Sequence, residues 1–145
     1  MVKVLIKKLS PEVKLPSYET SGSSGMDLQA HIESSVTIKP KTSSLIPTGL
    51  SVAFSENYEL QIRPRSGLAA KNNISILNTP GTIDSDFRGE IKIIIYNHGN
   101  NDFFINNGDR IAQMILTPVV KMEFEETNDL PDTMRGDGGF GSTGK

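Results

Sequence analysis

The chain has 145 residues, of which 36% are hydrophobic and 22% are charged, and its net charge at pH 7 is −2. This length predicts one domain with a sizeable core, and the slightly acidic balance argues against a protein that coats nucleic acid or a membrane surface. The lack of cysteine excludes disulfides, thiolate catalysis and cysteine zinc sites.

The N-terminal stretch MVKVLIKKLSPEVKLP contains an apolar run of only three residues. Such a run is too short for a signal peptide or a membrane span. We therefore expect a cytoplasmic protein whose partners include neither a membrane nor nucleic acid.

Short apolar runs follow along the chain, separated by turn-forming stretches such as PKTSS, NTPG and NHGNN. Several runs alternate with a period of two, as in Ile91, Ile93 and Ile95, and β-branched residues dominate them, which is typical of strands. The pattern predicts an all-β domain, a jelly-roll-like β-barrel or sandwich of many short strands. One short helix is predicted at residues 66–71, SGLAAK. We place the β-barrel core at residues 1–124, followed by a linker and a flexible, glycine-rich C-terminal arm at residues 125–145.

The C-terminal stretch RGDGGFGSTGK carries an arginine and a phenylalanine among its glycines. Residues 139–145 match most of the phosphate-loop pattern G-x-x-x-x-G-K, but the preceding DLPDTM is not a buried strand, and no Ser or Thr follows Lys145. A disordered tail is the plainer interpretation, because chain termini are usually untethered. Phe140 keeps a binding role open, since a merely solvating tail has little use for an aromatic ring.

The two histidines, His31 and His98, are far apart in the sequence and stand beside no carboxylate cluster. Metal sites need ligands at motif spacing, so surface or structural roles are favoured for both histidines. A serine triad is not indicated either, because no G-x-S-x-G motif occurs.

The arginines and the stretch GTIDSDFRGE are more informative. Each arginine alone is more often a surface residue, but beside Ser-Gly turns such as PRSG they indicate an anion site. Taken alone, Asp84 and Asp86 are more typical of a hairpin turn, but they also suit a water-activating base beside a phosphate, with Phe87 covering an apolar ligand surface. The arginines are Arg63, Arg65, Arg88, Arg110 and Arg135.

Five segments, taken in order, resemble the five motifs of the trimeric deoxyuridine triphosphatase (dUTPase) family. The segments are SGMDL, RPRSGLA, GTIDSDFRGE, GDRIAQMI and RGDGGFGSTG. The resemblance implies a Mg²⁺-assisted hydrolysis of dUTP to dUMP and pyrophosphate, by attack of a water on the α-phosphate. It also implies a homotrimer whose active sites are shared between subunits, and a role in supplying dUMP for thymidylate synthesis and keeping uracil out of DNA.

The resemblance assigns roles residue by residue. Asp84 matches the general base, and Asp27 matches the aspartate that meets magnesium through water, with no direct protein ligand expected. The residues that match substrate contacts fall into three sets. For the phosphates they are Arg65, Ser66, Gly67 and Gln113; for uracil and deoxyribose Asn78, Gly81, Thr82, Ile83, Asp84, Phe87 and the facing strand near Lys92; and for the tail that closes over a neighbouring subunit Arg135, Phe140, Gly141 and Ser142.

Three positions depart from the pattern. Phe87 stands where the family commonly has tyrosine, and Met26 replaces another common tyrosine. Asp137 adds a negative charge to the tail. Two other readings are a dCTP deaminase, which would need a different serine-rich turn, and a binding module of the same fold without catalysis.

Overall fold

The computed structural model describes residues 1–141. Within these residues the chain forms eleven strands and one helix. The strands are β1 (Leu5–Lys8), β2 (Met26–Gln29), β3 (Val36–Ile38), β4 (Ser43–Pro47), β5 (Leu50–Ala53), β6 (Tyr58–Arg63), β7 (Ile74–Ile76), β8 (Gly81–Ile83), β9 (Lys92–Asn97), β10 (Phe103–Ile105) and β11 (Arg110–Pro118), and the helix is α1 (Ser66–Asn72). The prediction of an all-β domain with one short helix is confirmed.

All strand pairs are antiparallel. The largest sheet has the order β2-β11-β6-β8, a second has the order β4-β9-β7, and β1-β5 and β10-β3 form two further pairs. The alternating sequence pattern explains the core, because residues two apart share one face of a strand. In β9, for example, Ile93 and Ile95 are buried while Lys92 is exposed.

Strand β11 contains an irregularity that affects the side chains around it. Arg110 pairs with Gln29 of β2, but Ala112 already pairs with Leu28, so β11 has one extra residue in this interval. Ile111 and Ala112 are consequently both buried, at 2% and 0% exposure. A bulge of this kind changes the face on which the residues before it lie.

Helix α1 begins directly after Arg65, whose backbone is extended (φ −90°, ψ 129°), and it ends at Asn73, which adopts the left-handed conformation (φ 56°, ψ 38°). Asn73 donates its backbone N–H to the carbonyl of Ala69, which closes the last turn. The helix is short and has no fully buried residue. Within residues 1–141, no helix has the length and apolar character needed to cross a membrane.

The C-terminal segment, residues 119–141, contains no helix or strand. Its start is fixed by a bond from the Val119 N–H to the Asn57 carbonyl. Beyond this point its large apolar side chains are almost fully exposed in the single chain. They are Val120, Met122, Phe124, Leu130, Met134 and Phe140.

Candidate active site

Three charged side chains meet at one end of the largest sheet, and we call Asp27, Arg65 and Arg110 the arginine cluster. Arg65 Nε donates to Asp27 Oδ1 at 2.9 Å, and Arg110 Nη1 donates to Asp27 Oδ2 at 3.3 Å. Arg65 Nη1 also donates to the Arg110 carbonyl at 3.2 Å. Because one carboxylate faces two guanidinium groups, the cluster keeps a net positive charge, which suits an anionic ligand.

Arg65 is restrained by these bonds and still has donors to offer. Its side chain is 26% exposed, and among residues 1–141 its Nη2 has no hydrogen-bond acceptor. Ser66 and Gly67 follow at the exposed start of α1. A Cβ added to Gly67 would meet no atom within 4 Å, so the space beside this backbone is open to a ligand.

Gln113 lies beside the cluster, because it pairs with Asp27 of β2 on one side and with Arg63 of β6 on the other. Its Nε2 donates to the Pro64 carbonyl at 2.9 Å, just before Arg65. Gly25 packs closely against it, since a Cβ added there would lie only 2.8 Å from Gln113 Oε1. The four residues expected to contact the phosphates are therefore brought together within one chain.

The acidic turn, residues 84–87, follows β8. The Phe87 N–H donates to the Asp84 carbonyl at 3.1 Å, and both Asp84 and Asp86 are exposed. The Phe87 ring is 41% exposed and lies over Gly89, where an added Cβ would come within 2.5 Å of Phe87 Cζ. The turn thus presents a solvent-accessible carboxylate beside an aromatic ring, as the sequence predicts.

The residues expected to form the uracil pocket lie on either side of β8. Gly81 is buried, and a Cβ added to it would lie 3.2 Å from Ile62 Cβ and 3.5 Å from Asn78 Nδ2. Asn78 is therefore next to the start of β8. Thr82 is exposed and Ile83 is half-buried.

One expectation about this region is wrong in its detail. We expected the strand near Lys92 to face residues 81–84, but β8 pairs with β6, and Lys92 pairs with Pro47 of β4 in the other sheet. The reason is that the acidic turn and the residues after it carry the chain from one sheet to the next, so that β8 and β9 do not form a two-stranded hairpin.

The acidic turn and the arginine cluster lie at opposite ends of the β6–β8 pair. Ile83 is opposite Leu60, so the register continued by one residue places Asp84 opposite residue 59. From residue 59 to residue 65 an extended chain covers about 20 Å, at roughly 3.3 Å per residue. Asp84 and Arg65 of one chain are consequently too far apart to act on the same phosphate.

The hydrogen bonds that the glycine-rich tail makes among the described residues lie within the tail itself. Arg135 Nε donates to the Gly138 carbonyl at 2.7 Å, and the Gly138 N–H donates to the Arg135 carbonyl at 3.1 Å. Phe140 is fully exposed, and it and Gly141 have positive φ angles of 50° and 92°. Ser142 and the rest of the G-x-x-x-x-G-K match lie outside the described residues.

Arg110 is the member of the arginine cluster to which the motif resemblance assigns no role. A signal for it exists in the sequence, because Ile111 and Ala112 are adjacent apolar residues that interrupt the alternation of β11. Two adjacent inward residues indicate a bulge, and bulges often lie next to functional sites.

The fold and these groups define a class of protein: a jelly-roll-like β domain that presents a cationic cluster for an anionic ligand and a separate exposed carboxylate. A family model described as dUTPase matches residues 11–144. The chain therefore belongs to the dUTPase family, and the family and enzyme class that the five motifs predict are confirmed.

Curated relatives match over the whole chain. A deoxyuridine 5'-triphosphate nucleotidohydrolase of Fusobacterium nucleatum is 51% identical over 146 residues and covers 100% of both chains. The enzyme of the same name from Rickettsia prowazekii is 54% identical and covers 99% of this chain and 98% of its own.

Solved structures show the same fold at lower identity. The Staphylococcus bacteriophage 80alpha dUTPase with dUpNHpp superposes with a TM-score of 0.87 over 99% of both chains, at 24% identity. A mutant dUTPase of phage phi11 of S. aureus, whose structure revealed the coordination of a structural Mg(II) ion, has a TM-score of 0.80 and 20% identity over 90% of this chain and 99% of its own.

Proposed function

We propose that this enzyme hydrolyses dUTP to dUMP and pyrophosphate, by attack of a water activated by Asp84 on the α-phosphate. The observation that carries the proposal is the arginine cluster beside Ser66, Gly67 and Gln113, because it supplies cationic and amide donors for a phosphate chain. Membership of the dUTPase family supports the choice of dUTP.

Asp84 has the features that a general base needs. It is exposed at a turn whose backbone is closed by the bond from the Phe87 N–H to the Asp84 carbonyl, and exposure leaves the carboxylate accessible to a water. It would accept the proton of the attacking water while Arg65 neutralises charge on the phosphoryl oxygens.

Backbone groups of β8 are suited to recognise the base. Because β8 is the last strand of its sheet, one row of its N–H and C=O groups is not used by a strand partner in the described chain. A uracil ring could bond to this row beside Asn78, and Phe87 would pack against the deoxyribose. The strand near Lys92 lies beside Asn78, because the Leu77 N–H donates to the Ile94 carbonyl and the β7–β9 register, continued, places Asn78 opposite Ile93.

The residues of the site also fit a magnesium ion bound mainly by the substrate. Among residues 1–141, no group of three or more His, Cys, Asp or Glu side chains could hold a metal directly. Both Asp27 oxygens accept from arginines, but each oxygen has a further lone pair, so Asp27 can meet a hydrated cation through water. When bound, Mg²⁺ would draw negative charge away from the triphosphate.

A homotrimer with shared active sites would bring together Asp84 and the arginine cluster, which lie apart within one chain. The separation of about 20 Å between Asp84 and Arg65 along one chain supports the proposal that they serve different sites. We infer that Asp84 of one subunit works with Arg65 of a neighbour, as the family resemblance implies. The tail, with Arg135, Phe140, Gly141 and Ser142, would then close over the bound nucleotide from a further subunit.

This activity would supply dUMP for thymidylate synthesis and keep uracil out of DNA. A location in the cytoplasm, where free nucleotides are used, fits a cysteine-free chain. Neither a membrane nor nucleic acid is needed as a partner.

The test is product analysis of the purified enzyme with dUTP, dCTP, dTTP and UTP in separate reactions, each with Mg²⁺ and with excess chelator. We expect dUMP and pyrophosphate from dUTP, strongly reduced by the chelator, and much slower turnover of the other three. Release of a uracil nucleotide from dCTP would instead identify a deaminase, and no turnover of any nucleotide would identify a binding module.

A further inference from the structure

Arg110 lies on the functional face of its sheet only because of the bulge in β11. Continued without the bulge, the register from Gln113 opposite Asp27 would place residue 110 opposite Ala30, which is buried in the core at 3% exposure. With the bulge, Arg110 is opposite Gln29 and shares the face of Asp27. The bulge therefore interrupts the regular pairing of residues between β11 and β2, and it places the Arg110 side chain beside the site.

Arg110 contacts both members of the ion pair between Arg65 and Asp27. Its side chain binds the Asp27 oxygen that Arg65 Nε does not use, and its backbone carbonyl accepts from Arg65 Nη1. These two contacts fix the carboxylate and one edge of the Arg65 guanidinium, while Nη2 stays available. Such an arrangement orients a side chain without occupying the donors that a ligand would use.

We propose that Arg110 is a positioning residue for the phosphate chain: it holds Asp27 and, through Asp27, sets the orientation of Arg65. This inference rests on the proposed function, because it takes the phosphates of dUTP as the ligand of Arg65. Without Arg110, the Asp27 carboxylate keeps one cationic partner and gains freedom to rotate, and Arg65 rotates with it.

The experiment compares Arg110→Gln with Arg63→Gln, a matched control on the neighbouring strand. Arg63 bonds within the described chain to Gln61 and contacts no member of the arginine cluster. Equilibrium binding is measured for dUpNHpp, which carries the full phosphate chain, and for dUMP, which lacks its outer two phosphates. We expect Arg110→Gln to weaken dUpNHpp binding about tenfold and to leave dUMP binding within about twofold, with Arg63→Gln near wild type for both.

A double-mutant cycle separates positioning from direct contact. If Arg110 acts through Asp27, adding Arg110→Gln to Asp27→Asn should weaken dUpNHpp binding by less than about twofold. A full tenfold loss in that background would show that Arg110 contacts the phosphates itself and would overturn the proposal. Equal binding by Arg110→Gln and Arg63→Gln would also overturn it.

Two controls keep the outcomes distinct. The wild-type protein must bind dUpNHpp more tightly than dUMP, and if it does not, the proposed function is overturned. If the wild type shows this preference and Arg110→Gln binds dUpNHpp as tightly as the wild type, only the inference about Arg110 is overturned. Thermal unfolding checks the fold, and if Arg110→Gln does not fold, Arg110→Lys takes its place. The lysine keeps the charge but lacks the planar fork, so the same selective loss for dUpNHpp is expected at smaller size.

Discussion

Arg65 and Arg135 are both expected to meet the phosphates of the substrate, yet the chain presents them in opposite ways. Arg65, which directly precedes α1, is partly buried and bonded to Asp27 of β2, 38 positions away in the sequence. Arg135 lies in the C-terminal segment, where its Nε bonds to the carbonyl of Gly138, three positions away. One arginine is held by the sheet and the other by a local turn of the tail.

This difference predicts different roles for the two arginines in catalysis. Contacts between strands orient Arg65 before any ligand binds, so little conformational entropy is lost when the phosphates arrive. On closure we expect Arg135 to exchange its local bond for a bond to the ligand, and Phe140 to lose its full exposure. We expect the arginine cluster to control affinity in the open enzyme and the tail to control turnover.

The largest effect should come from a residue outside both regions. Replacement of the proposed base, Asp84→Asn, should lower kcat on the order of 10³-fold, because a general base typically contributes 10² to 10⁴. Binding of dUpNHpp should remain close to wild type, since both arginines are intact. Steady-state kinetics and equilibrium binding measure the two effects, and normal turnover would remove Asp84 as the base.

Removal of the tail should have the next largest effect. Truncation after Met134 deletes Arg135 and Phe140 and should lower kcat/KM on the order of 10²-fold, because a base–aromatic stack contributes about 1–3 kcal/mol and a charged hydrogen bond about as much. The thermal unfolding midpoint should not change, since residues 119–141 form no strand or helix. Full activity of the truncated enzyme would show that the tail has no part in catalysis.

A matched pair of substitutions compares the two arginines directly. Arg65→Gln should destabilise the fold by about 1 kcal/mol, or roughly 2–4 °C in the unfolding midpoint, because the Asp27 carboxylate loses a partner. Arg135→Gln should leave the midpoint unchanged. Both should lower kcat/KM, and Arg65→Gln should still weaken binding of dUpNHpp in the tail-truncated enzyme, which already lacks Arg135. Equal thermal shifts would contradict the distinction between the two regions.

Gly67→Ala should have the smallest effect on the enzyme, and any effect on stability should be opposite in sign to that of Arg65→Gln. Alanine favours a helix over glycine by up to about 1 kcal/mol, and the added Cβ meets open space, so the unfolding midpoint should stay level or rise slightly. Binding of dUpNHpp should weaken several-fold if the phosphates approach this backbone closely. A variant that binds normally would show that the ligand lies elsewhere.

The sequence predicts what depends on local pattern and motif. Alternating isoleucines predict strands such as β9, and SGLAAK predicts α1 to within one residue of its end. The motifs also contain Asp27, Arg65, Ser66, Gly67 and Gln113, which lie close together in the structure, while their contacts with substrate stay predictions.

Features that depend on strand pairing could not be read from the chain alone. The partner of β8 depends on how the chain leaves the acidic turn, which no short-range pattern encodes. The expectation that the strand near Lys92 faces residues 81–84 is wrong for this reason. The position of Arg110 depends on one extra residue in β11; the adjacent apolar residues Ile111 and Ala112 indicate such a bulge, but they do not show which residue Arg110 then pairs with. The separation of Asp84 from Arg65 likewise becomes visible only with the register of β6 and β8.

The central claim, that Asp84 and Arg65 of different subunits form one active site, is tested most directly by complementation. Chains carrying Asp84→Asn and chains carrying Arg65→Gln, each with its own affinity tag, are co-expressed, and mixed trimers are purified through both tags. In any cyclic trimer that contains both variant chains, one of the three subunit junctions joins an intact Asp84 to an intact Arg65. Mixed trimers should therefore recover about one third of the wild-type kcat. Mixed trimers no more active than the two parent proteins would contradict the shared site.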